Sequence, residues 1–496
     1  MYTFFKRTAP ALSLLGLALV SCQPELDDIE TSKGSADFTR YIAVGNSLTA
    51  GFSDGGLYLE GQQSSYPNLL AQQFKAVGGG DFTQPLFQTG QENGSGYLRL
   101  TGFTSTGSPT TANVTTNLAV RDRVVTRTSP ASNPQLIYTK YTEPVNNLGV
   151  PGIRMSDIET KGFGNVASTG GNLLAPTPIF NSYFERITPA GSDQTYLERV
   201  AASNPTFFTS WVGNNDVLGY ATAGAAASFL TPLADFTDKN SKLINALTAN
   251  GAKGLVATIP DVTNVPFFTT VGPAFRATLA AANVPAIVVT TGAFSTTPGT
   301  PATRKSIPVT DIRDANGNGK QLFTLTASPY VTLFGRPNNG KAWRDVYNQA
   351  RTSLPPTITL GVFLAIQGVD TTKAFGASAE NPFPSTLVLD DAEQAVVKSA
   401  TTAFNNALTA KANEKGLAIF DANAFFSRVA TTGIVSDAVN NTAAFISGNL
   451  FSLDGVHPTP RGYAIIANEM INAINAKYGS SIQTVNPNDY RGVRFP

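Results

Sequence analysis

One serine near the start of the chain has a setting suited to nucleophilic chemistry. Ser47 lies in the run Gly45-Asn46-Ser47-Leu48-Thr49-Ala50-Gly51, directly after a short apolar segment. A serine on the turn between a strand and a helix presents its hydroxyl at the sheet edge and keeps an unpaired backbone N–H. By itself, this serine would be explained by default as a helix N-cap.

The single histidine of the chain offers the matching base. His457 lies in Ser452-Leu453-Asp454-Gly455-Val456-His457-Pro458-Thr459, close to the C-terminal end. An aspartate three residues before a histidine can accept from one imidazole nitrogen, which leaves the other nitrogen to take a proton from a serine. Without Ser47, we would interpret the pair as a surface-loop histidine beside a turn-forming aspartate.

Two further loops could stabilise the negative charge that develops during ester hydrolysis. Asn147-Leu148-Gly149-Val150-Pro151-Gly152 offers a free backbone N–H, and Gly213-Asn214-Asn215-Asp216 offers a side-chain amide. A tetrahedral oxyanion needs fixed neutral donors of this kind. Taken separately, each loop would be interpreted as a β-turn.

Together and in this order, these segments resemble the four signature blocks of the SGNH/GDSL hydrolase family. The resemblance implies Ser47 as nucleophile, Asp454 and His457 as its catalytic partners, and an oxyanion hole made by Ser47, Gly152 and Asn215. It also implies an esterase or lipase with a flavodoxin-like three-layer α/β/α sandwich, a mostly parallel sheet and large insertions. No cofactor and no metal are implied.

One position departs from the family pattern, and the substrate is left open. The family's Gly-Asp-Ser is Gly-Asn-Ser here, but Asn46 can make hydrogen bonds similar to those of the aspartate. Lipid, acyl and O-acetyl esters would all suit the same catalytic set. The alternative is a non-catalytic surface lipoprotein that binds glycans or lipids on the same scaffold, and covalent labelling of Ser47 would separate the two.

A rival motif must be weighed, because Gly51-Phe52-Ser53-Asp54-Gly55 matches the G-x-S-x-G nucleophile elbow of α/β-hydrolases. Such an elbow stands immediately between a strand and a helix, after several earlier strands. Only one predicted strand precedes Ser53, and it ends at Val44. We therefore reject Ser53 as the nucleophile.

The elements around these motifs predict a parallel sheet. Short apolar runs at residues 41–44, 207–212, 255–259 and 417–420 predict buried strands, each followed by a polar or glycine-containing loop. Helical periodicity appears in residues 391–415, in a segment ending near Gly251 and in a segment closed by Gly479. Alternating strands and helices indicate a sheet covered on both faces, with its active site beyond the strands' carboxyl ends.

The composition excludes several classes of function. With 42% hydrophobic and 14% charged residues the chain has the profile of a globular protein, and its net charge of +1 gives no field that would favour nucleic acid. One cysteine permits no intramolecular disulfide, and one histidine with one cysteine disfavours a zinc hydrolase.

Asp314-Ala315-Asn316-Gly317-Asn318-Gly319 matches the front of a calcium loop, but Leu325 occupies its twelfth position, so we predict an Asx/Gly turn.

The N-terminal residues resemble a signal peptide for export. Lys6 and Arg7 precede an apolar run that ends in Leu19-Val20-Ser21-Cys22, which resembles a bacterial lipobox. An ordinary signal peptide with an incidental cysteine and an uncleaved anchor are the alternatives. We expect lipidation of Cys22 and an outer-membrane lipoprotein of the cell envelope, periplasmic or surface-exposed, that contacts the membrane through its lipid anchor.

The same features predict the organisation of the chain. We expect a lipoprotein signal peptide over residues 1–22, a flexible tether over 23–38, the hydrolase domain over 39–480 and a C-terminal tail over 481–496. Gly-, Thr- and Pro-rich stretches at about 76–145 and 292–388 are predicted to be insertions in that domain, with independent domains as the alternative. The expected partner is a small-molecule, lipid or glycan ester, and the oligomeric state is not predicted.

Overall fold

A computed structural model describes residues 31–105, 107–124, 134–169, 180–226, 230–351, 354–355, 357–436 and 438–496. The predicted signal peptide, Cys22 and the tether as far as residue 30 lie outside these described residues. Within them, no helix is both long and apolar enough to cross a membrane.

A five-stranded parallel sheet forms the centre of the molecule. Its strands are β1 (Tyr41–Gly45), β2 (Asn147–Gly149), β3 (Phe207–Trp211), β4 (Lys253–Ala257) and β5 (Ala418–Phe420). Their spatial order is β2-β1-β3-β4-β5. In this doubly wound order the connections reverse direction between β1 and β3, which is where ligands bind in open α/β sheets.

Helices cover the sheet. Tyr66–Lys75 and Pro460–Tyr478 pack against each other in one layer, while Tyr196–Ala201, Leu233–Thr248 and Asp391–Glu414 form the other. The sequence defines the last helix at both ends, because the Thr459 hydroxyl accepts from the Gly462 N–H and Gly479 closes the helix in the left-handed conformation. The predicted three-layer α/β architecture is therefore confirmed.

The remaining elements lie in the connections. Antiparallel pairs are formed by Tyr97–Phe103 with Pro109–Val114, Val120–Val124 with Gln135–Tyr138, Ala286–Thr290 with Arg304–Pro308, Leu322–Phe323 with Val388–Leu389, and Ile434–Ser436 with Val439–Asn441. The other α-helices are Ser47–Ala50, Leu59–Gln63, Ser182–Ile187, Asn215–Thr222, Pro266–Thr269, Val271–Ala281, Ser328–Val331, Lys341–Ala350, Leu360–Gln367 and Ala422–Thr431.

The chain between β4 and β5 has a hydrophobic cluster of its own. Phe275, Ile287, Val289, Phe323 and Phe383 are buried together there, apart from the main core around the sheet. This cluster includes residues on both sides of position 292. The limits predicted for the two insertions stay predictions.

The Asp314 side chain closes its loop by accepting from backbone N–H groups of the same loop. Asp314 Oδ1 accepts from the N–H groups of Asn316 at 2.9 Å and Asn318 at 2.8 Å, which is the geometry of an Asx turn. Among the described residues, no group of His, Cys, Asp and Glu side chains is arranged to hold a metal ion.

Candidate active site

Ser47 begins the helical turn that follows β1. The chain leaves the buried strand at Gly45, and Asn46, whose side chain is fully buried, caps the turn by accepting from the Leu48 N–H at 3.0 Å. An aspartate at this position could accept the same hydrogen bond. The end of β2 packs closely here, because a Cβ on Gly149 would lie 2.4 Å from the Ala50 nitrogen. Only glycine at that position allows β2 to approach the serine turn so closely.

A continuous chain of hydrogen bonds joins the serine, the histidine and the aspartate. His457 Nε2 lies 2.8 Å from Ser47 Oγ, and His457 Nδ1 lies 2.8 Å from Asp454 Oδ2. Ser47 and His457, which this chain brings together, lie 410 positions apart in the sequence. The Phe52 ring packs beside the imidazole with a centroid separation of 4.6 Å. A proton on Nδ1, donated to the carboxylate, leaves Nε2 as an acceptor for the Ser47 hydroxyl.

The Asp454 carboxylate is held by several donors besides the imidazole. Its Oδ1 accepts from the N–H groups of Val456 at 2.9 Å and His457 at 2.8 Å and from the Ser452 hydroxyl, and its Oδ2 accepts from the Gly55 N–H at 2.9 Å. Burial alone would raise the pKa of Asp454, but the neighbouring His457 and these hydrogen bonds outweigh it and lower the pKa to about 2. The carboxylate is therefore ionised at neutral pH.

Three donors are unused on the turns and loops that follow β1, β2 and β3. The backbone N–H groups of Ser47 and Gly152 have no acceptor among the described residues, and Gly152 has a φ of +83° that favours glycine. The Asn215 amide donates one N–H to the Ile153 carbonyl at 2.9 Å, which leaves its second N–H. Because β2 and β3 flank β1, the loops that carry Gly152 and Asn215 follow the strands on either side of β1, and the Asn215–Ile153 hydrogen bond joins these loops.

Asp216 also belongs to this region, although the sequence analysis assigned it no role. Its buried carboxylate accepts from the N–H groups of Met155 at 2.7 Å and Ser156 at 3.3 Å and from the Thr231 hydroxyl at 2.5 Å. Burial raises the pKa of Asp216 to about 6, against the lowering effect of these hydrogen bonds. Asp216 thus ties the loop that carries Gly152 to the loop that carries Asn215. In the sequence, Asp216 is marked only by its position directly after Asn215.

The rejected Gly-x-Ser-x-Gly motif lies against the histidine loop. The Ser53 side chain is fully buried, and its hydroxyl donates to the Pro458 carbonyl at 2.9 Å. The Asp54 N–H donates to the Ser452 hydroxyl at 2.8 Å, and Asp54 Oδ1 accepts from the Leu453 N–H at 3.1 Å. This segment supports the loop that carries Asp454 and His457.

A largely apolar pocket opens beside the serine. Ser47, Asn215 and His457 line one end of it, and its empty volume is about 490 Å³ with the solvent at its mouth included. Its other walls come from segments that follow β3, β4 and β5. The arrangement brings together a hydroxyl, an imidazole, an ionised carboxylate and an apolar cavity, which are groups that acyl transfer could use.

Comparison with known proteins identifies one family. The sequence model of the family described as GDSL-like Lipase/Acylhydrolase matches residues 41–470, from the first residue of β1 into the last helix. This span covers most of the chain and contains Ser47, Gly152, Asn215, Asp454 and His457. No curated protein and no solved structure matches the chain.

Proposed function

The chain belongs to the GDSL-like lipase/acylhydrolase family, and on that basis we propose that it is a serine hydrolase that cleaves carboxylic esters with Ser47 as its nucleophile. The observation that carries the proposal is the chain of 2.8 Å hydrogen bonds from Ser47 Oγ through the imidazole of His457 to Asp454. A histidine that served only to pack the core would not need its second ring nitrogen within hydrogen-bond distance of a serine at the carboxyl edge of the sheet.

The reaction follows from this geometry in two steps. Ser47 Oγ attacks the ester carbonyl while its proton passes to His457 Nε2, and the tetrahedral intermediate expels the alcohol, which takes that proton. Water then attacks the acyl-enzyme, gives a proton to the same nitrogen and releases the acid as the proton returns to Ser47 Oγ. Asp454 fixes the imidazole tautomer and stabilises the imidazolium formed in each step.

The developing oxyanion would be held by the N–H groups of Ser47 and Gly152 and by the free N–H of the Asn215 amide. These donors are fixed before the substrate binds, because the Asn215–Ile153 bond and the Asp216 contacts hold their loops. Fixed neutral donors in a water-poor site stabilise the transition state more than donors that must reorganise.

The test compares two serines that lie six positions apart. We expect Ser47→Ala to lose hydrolysis of p-nitrophenyl butyrate and covalent labelling by a fluorophosphonate, with a nearly unchanged thermal midpoint. Ser53→Ala is the matched control and should still be labelled, since the Ser53 hydroxyl faces the Pro458 carbonyl. Fluorophosphonate labelling of Ser47→Ala at the parent rate would refute the nucleophile assignment, and a non-catalytic binder would be labelled in neither protein.

We also propose that this activity is located at the cell envelope, with Cys22 lipidated and the enzyme anchored in the outer membrane. The support is the basic and apolar leader that ends at the only cysteine of the chain. Its substrate would then be a lipid, glycan or small-molecule ester within reach of the anchor. Expression with labelled palmitate in a Gram-negative host should label the parent chain and leave Cys22→Ala unlabelled; equal labelling would contradict the anchor.

A further inference from the structure

An arginine near the C-terminal end of the chain contacts the turn that supports the loop of residues 452–457, which we call the catalytic loop. We infer that this arginine, Arg491, is a positioning residue for Asp454 and His457 and that it acts through Asp54. The inference rests on the proposed function of Ser47. Arg491 lies beyond the span that the family model matches, so the signature blocks of the family do not supply it.

The backbone and the side chain of Arg491 are both fixed. Its carbonyl oxygen accepts from the Arg461 N–H at 2.9 Å, at the start of the helix Pro460–Tyr478. Its guanidinium forms a bidentate pair with Glu60, in which Nε lies 2.8 Å from Oε1 and Nη2 lies 2.9 Å from Oε2. Nη2 also donates to the Tyr58 hydroxyl at 3.0 Å. Because a bidentate pair fixes the plane of a guanidinium, the positive charge is held in one place.

Asp54 lies next to this guanidinium. Asp54 Oδ2 is 3.6 Å from Arg491 Nη2 and accepts from the Tyr58 hydroxyl at 2.8 Å. The Asp54 side chain is only 5% exposed, and among the described residues Arg491 is the only cation that forms an ion pair with it. Arg99 and Arg494 line the cavity beside Asp54, but both are exposed. Since a buried carboxylate needs a paired cation to remain charged, Arg491 stabilises the ionised form of Asp54.

The turn that contains Asp54 holds the catalytic loop by three hydrogen bonds. Asp54 Oδ1 accepts from the Leu453 N–H at 3.1 Å, and the Asp54 N–H donates to the Ser452 hydroxyl at 2.8 Å. The Gly55 N–H donates at 2.9 Å to Asp454 Oδ2, the oxygen that also pairs with the imidazole. A neutral Asp54 would bind the Leu453 N–H more weakly than a carboxylate does. The loop would then lose part of the constraint that aligns Asp454 with the imidazole.

The ionisation of Asp54 depends on the groups that face it. Burial raises the pKa of Asp54 above its ordinary value. The Leu453 N–H, the Tyr58 hydroxyl and the Arg491 guanidinium lower this pKa, and the negative charge of Asp454 raises it. Without the guanidinium, the two raising effects meet less opposition. In Arg491→Met the pKa of Asp54 should therefore be higher than in the parent, so Asp54 should become protonated at a higher pH.

The first experiment measures the ratio of variant to parent kcat for p-nitrophenyl butyrate at pH 6 and pH 8.5. Misplacing a catalytic group by about 1 Å can cost on the order of a hundredfold in rate, and a loosened loop should cost less. For Arg491→Met we expect a ratio of about one tenth at pH 6 that recovers to within about threefold of unity at pH 8.5. KM should change by less than about twofold.

Arg494→Met is the matched control for this experiment. Arg494 Nη2 lies 3.1 Å from the same Glu60 carboxylate, but its side chain is 69% exposed. We expect a ratio near unity at both pH values. A merely structural role of Arg491 would give a ratio that does not change with pH. A ratio for Arg491→Met that is equal at the two pH values or lower at pH 8.5, or an equal loss in the control, overturns the inference.

The second experiment makes residue 54 permanently neutral. Asparagine suits the positive φ of +52° at Asp54 and cannot ionise, so folded Asp54→Asn should have about one tenth of the parent kcat at both pH values. Adding Arg491→Met to Asp54→Asn should change kcat by less than about twofold. A parent kcat in Asp54→Asn, or a further tenfold loss in the double variant, overturns the inference. The first of these outcomes is decisive even if Arg491→Met fails to fold.

Fluorophosphonate labelling of the parent reports the proposed function separately. A parent that is labelled and hydrolyses the ester, with variants that do not show these ratios, overturns only the inference about Arg491. A parent with neither labelling nor ester hydrolysis overturns the proposed function and this inference with it.

Discussion

Replacing Asp454 with asparagine tests whether the carboxylate fixes the tautomer of His457. The two carboxylate oxygens have separate partners: Oδ1 accepts from Val456, His457 and Ser452, and Oδ2 accepts from Gly55 and the imidazole. In Asp454→Asn the amide oxygen will keep the Oδ1 position, where it meets three donors. The amide nitrogen then faces the imidazole and can only donate, so the imidazole proton moves to Nε2, where it blocks proton transfer from Ser47.

The magnitude follows from this tautomer change. The wrong tautomer lowers kcat by about 10⁴ in Ser-His-Asp triads, which corresponds to about 5 kcal/mol of transition-state stabilisation. The substitution Asp454→Asn should also lower the free energy of unfolding. The pKa of Asp454 is lowered from 3.8 to about 2, so the carboxylate contributes about 2 kcal/mol that is present above pH 3.8 and lost as the pH falls through 2. Asp454→Asn should lose that contribution at neutral pH.

The assay is steady-state hydrolysis of a p-nitrophenyl ester at 25 °C, with a thermal melt to show that the variant is folded. Asp238→Asn is the matched control, because Asp238 is an exposed carboxylate on the helix Leu233–Thr248, 2.7 Å from Lys242. We expect parent activity in the control. A folded Asp454→Asn enzyme with kcat within tenfold of the parent would show that the carboxylate does not set the tautomer.

Two further predictions concern the oxyanion loops. Asn215→Ala should lower kcat on the order of a hundredfold or more with little change in KM, measured by steady-state kinetics; an effect on KM alone would argue against an oxyanion role. Asp216 has its pKa raised from 3.8 to about 6 in the folded protein, so it favours folding below pH 3.8, and up to about 3 kcal/mol is lost as the pH rises through 6. Urea unfolding at pH 4 and 7 should show this loss in the parent and its absence in Asp216→Asn, and parallel losses would contradict the assignment.

Comparing the predicted strands with the observed sheet shows which kinds of strand can be recognised from the sequence. β1, β3, β4 and β5 were predicted because strands covered on both faces are continuous apolar runs. β4 begins at Lys253, two residues before the predicted start, because Lys253 pairs with Phe207 of β3. It ends at Ala257, and the Ile259 N–H instead donates to the Asn405 side chain. These boundaries depend on partners distant in sequence, which a local pattern does not contain.

β2 was missed for a different reason. It has only three residues, Asn147–Gly149, and these were interpreted as part of a glycine-flanked loop. Its strand character comes from pairing with β1 along Ala43 to Gly45, not from β-branched or aromatic side chains. The order of the strands could not be worked out from periodicity either, although the family resemblance implied it.

The residues of the site also divide into those that the sequence identified and those that it did not. Ser47, Asp454 and His457 could be singled out because a chain with one histidine offers one possible base and because the aspartate stands three residues from it. The Gly55 N–H and the Asp216 carboxylate could not, since a backbone donor has no residue-type signature and Asp216 acts through residues some sixty positions away. Local spacing predicts groups that work as neighbours, whereas the supports of the site come from tertiary contacts.

The Gly-x-Ser-x-Gly segment shows why the letters of a short motif do not identify a nucleophile. Asp54 has a positive φ of +52°, a conformation that costs a non-glycine residue about 1 kcal/mol or more. Its side chain offsets this strain by accepting from the Leu453 N–H and the Tyr58 hydroxyl. The turn therefore needs small residues that adopt the left-handed backbone conformation, because this conformation brings the Gly55 N–H to Asp454. A nucleophile elbow needs such residues as well, to expose its serine. Two sites with the same backbone requirement share the motif, and the serine that faces the only imidazole is Ser47.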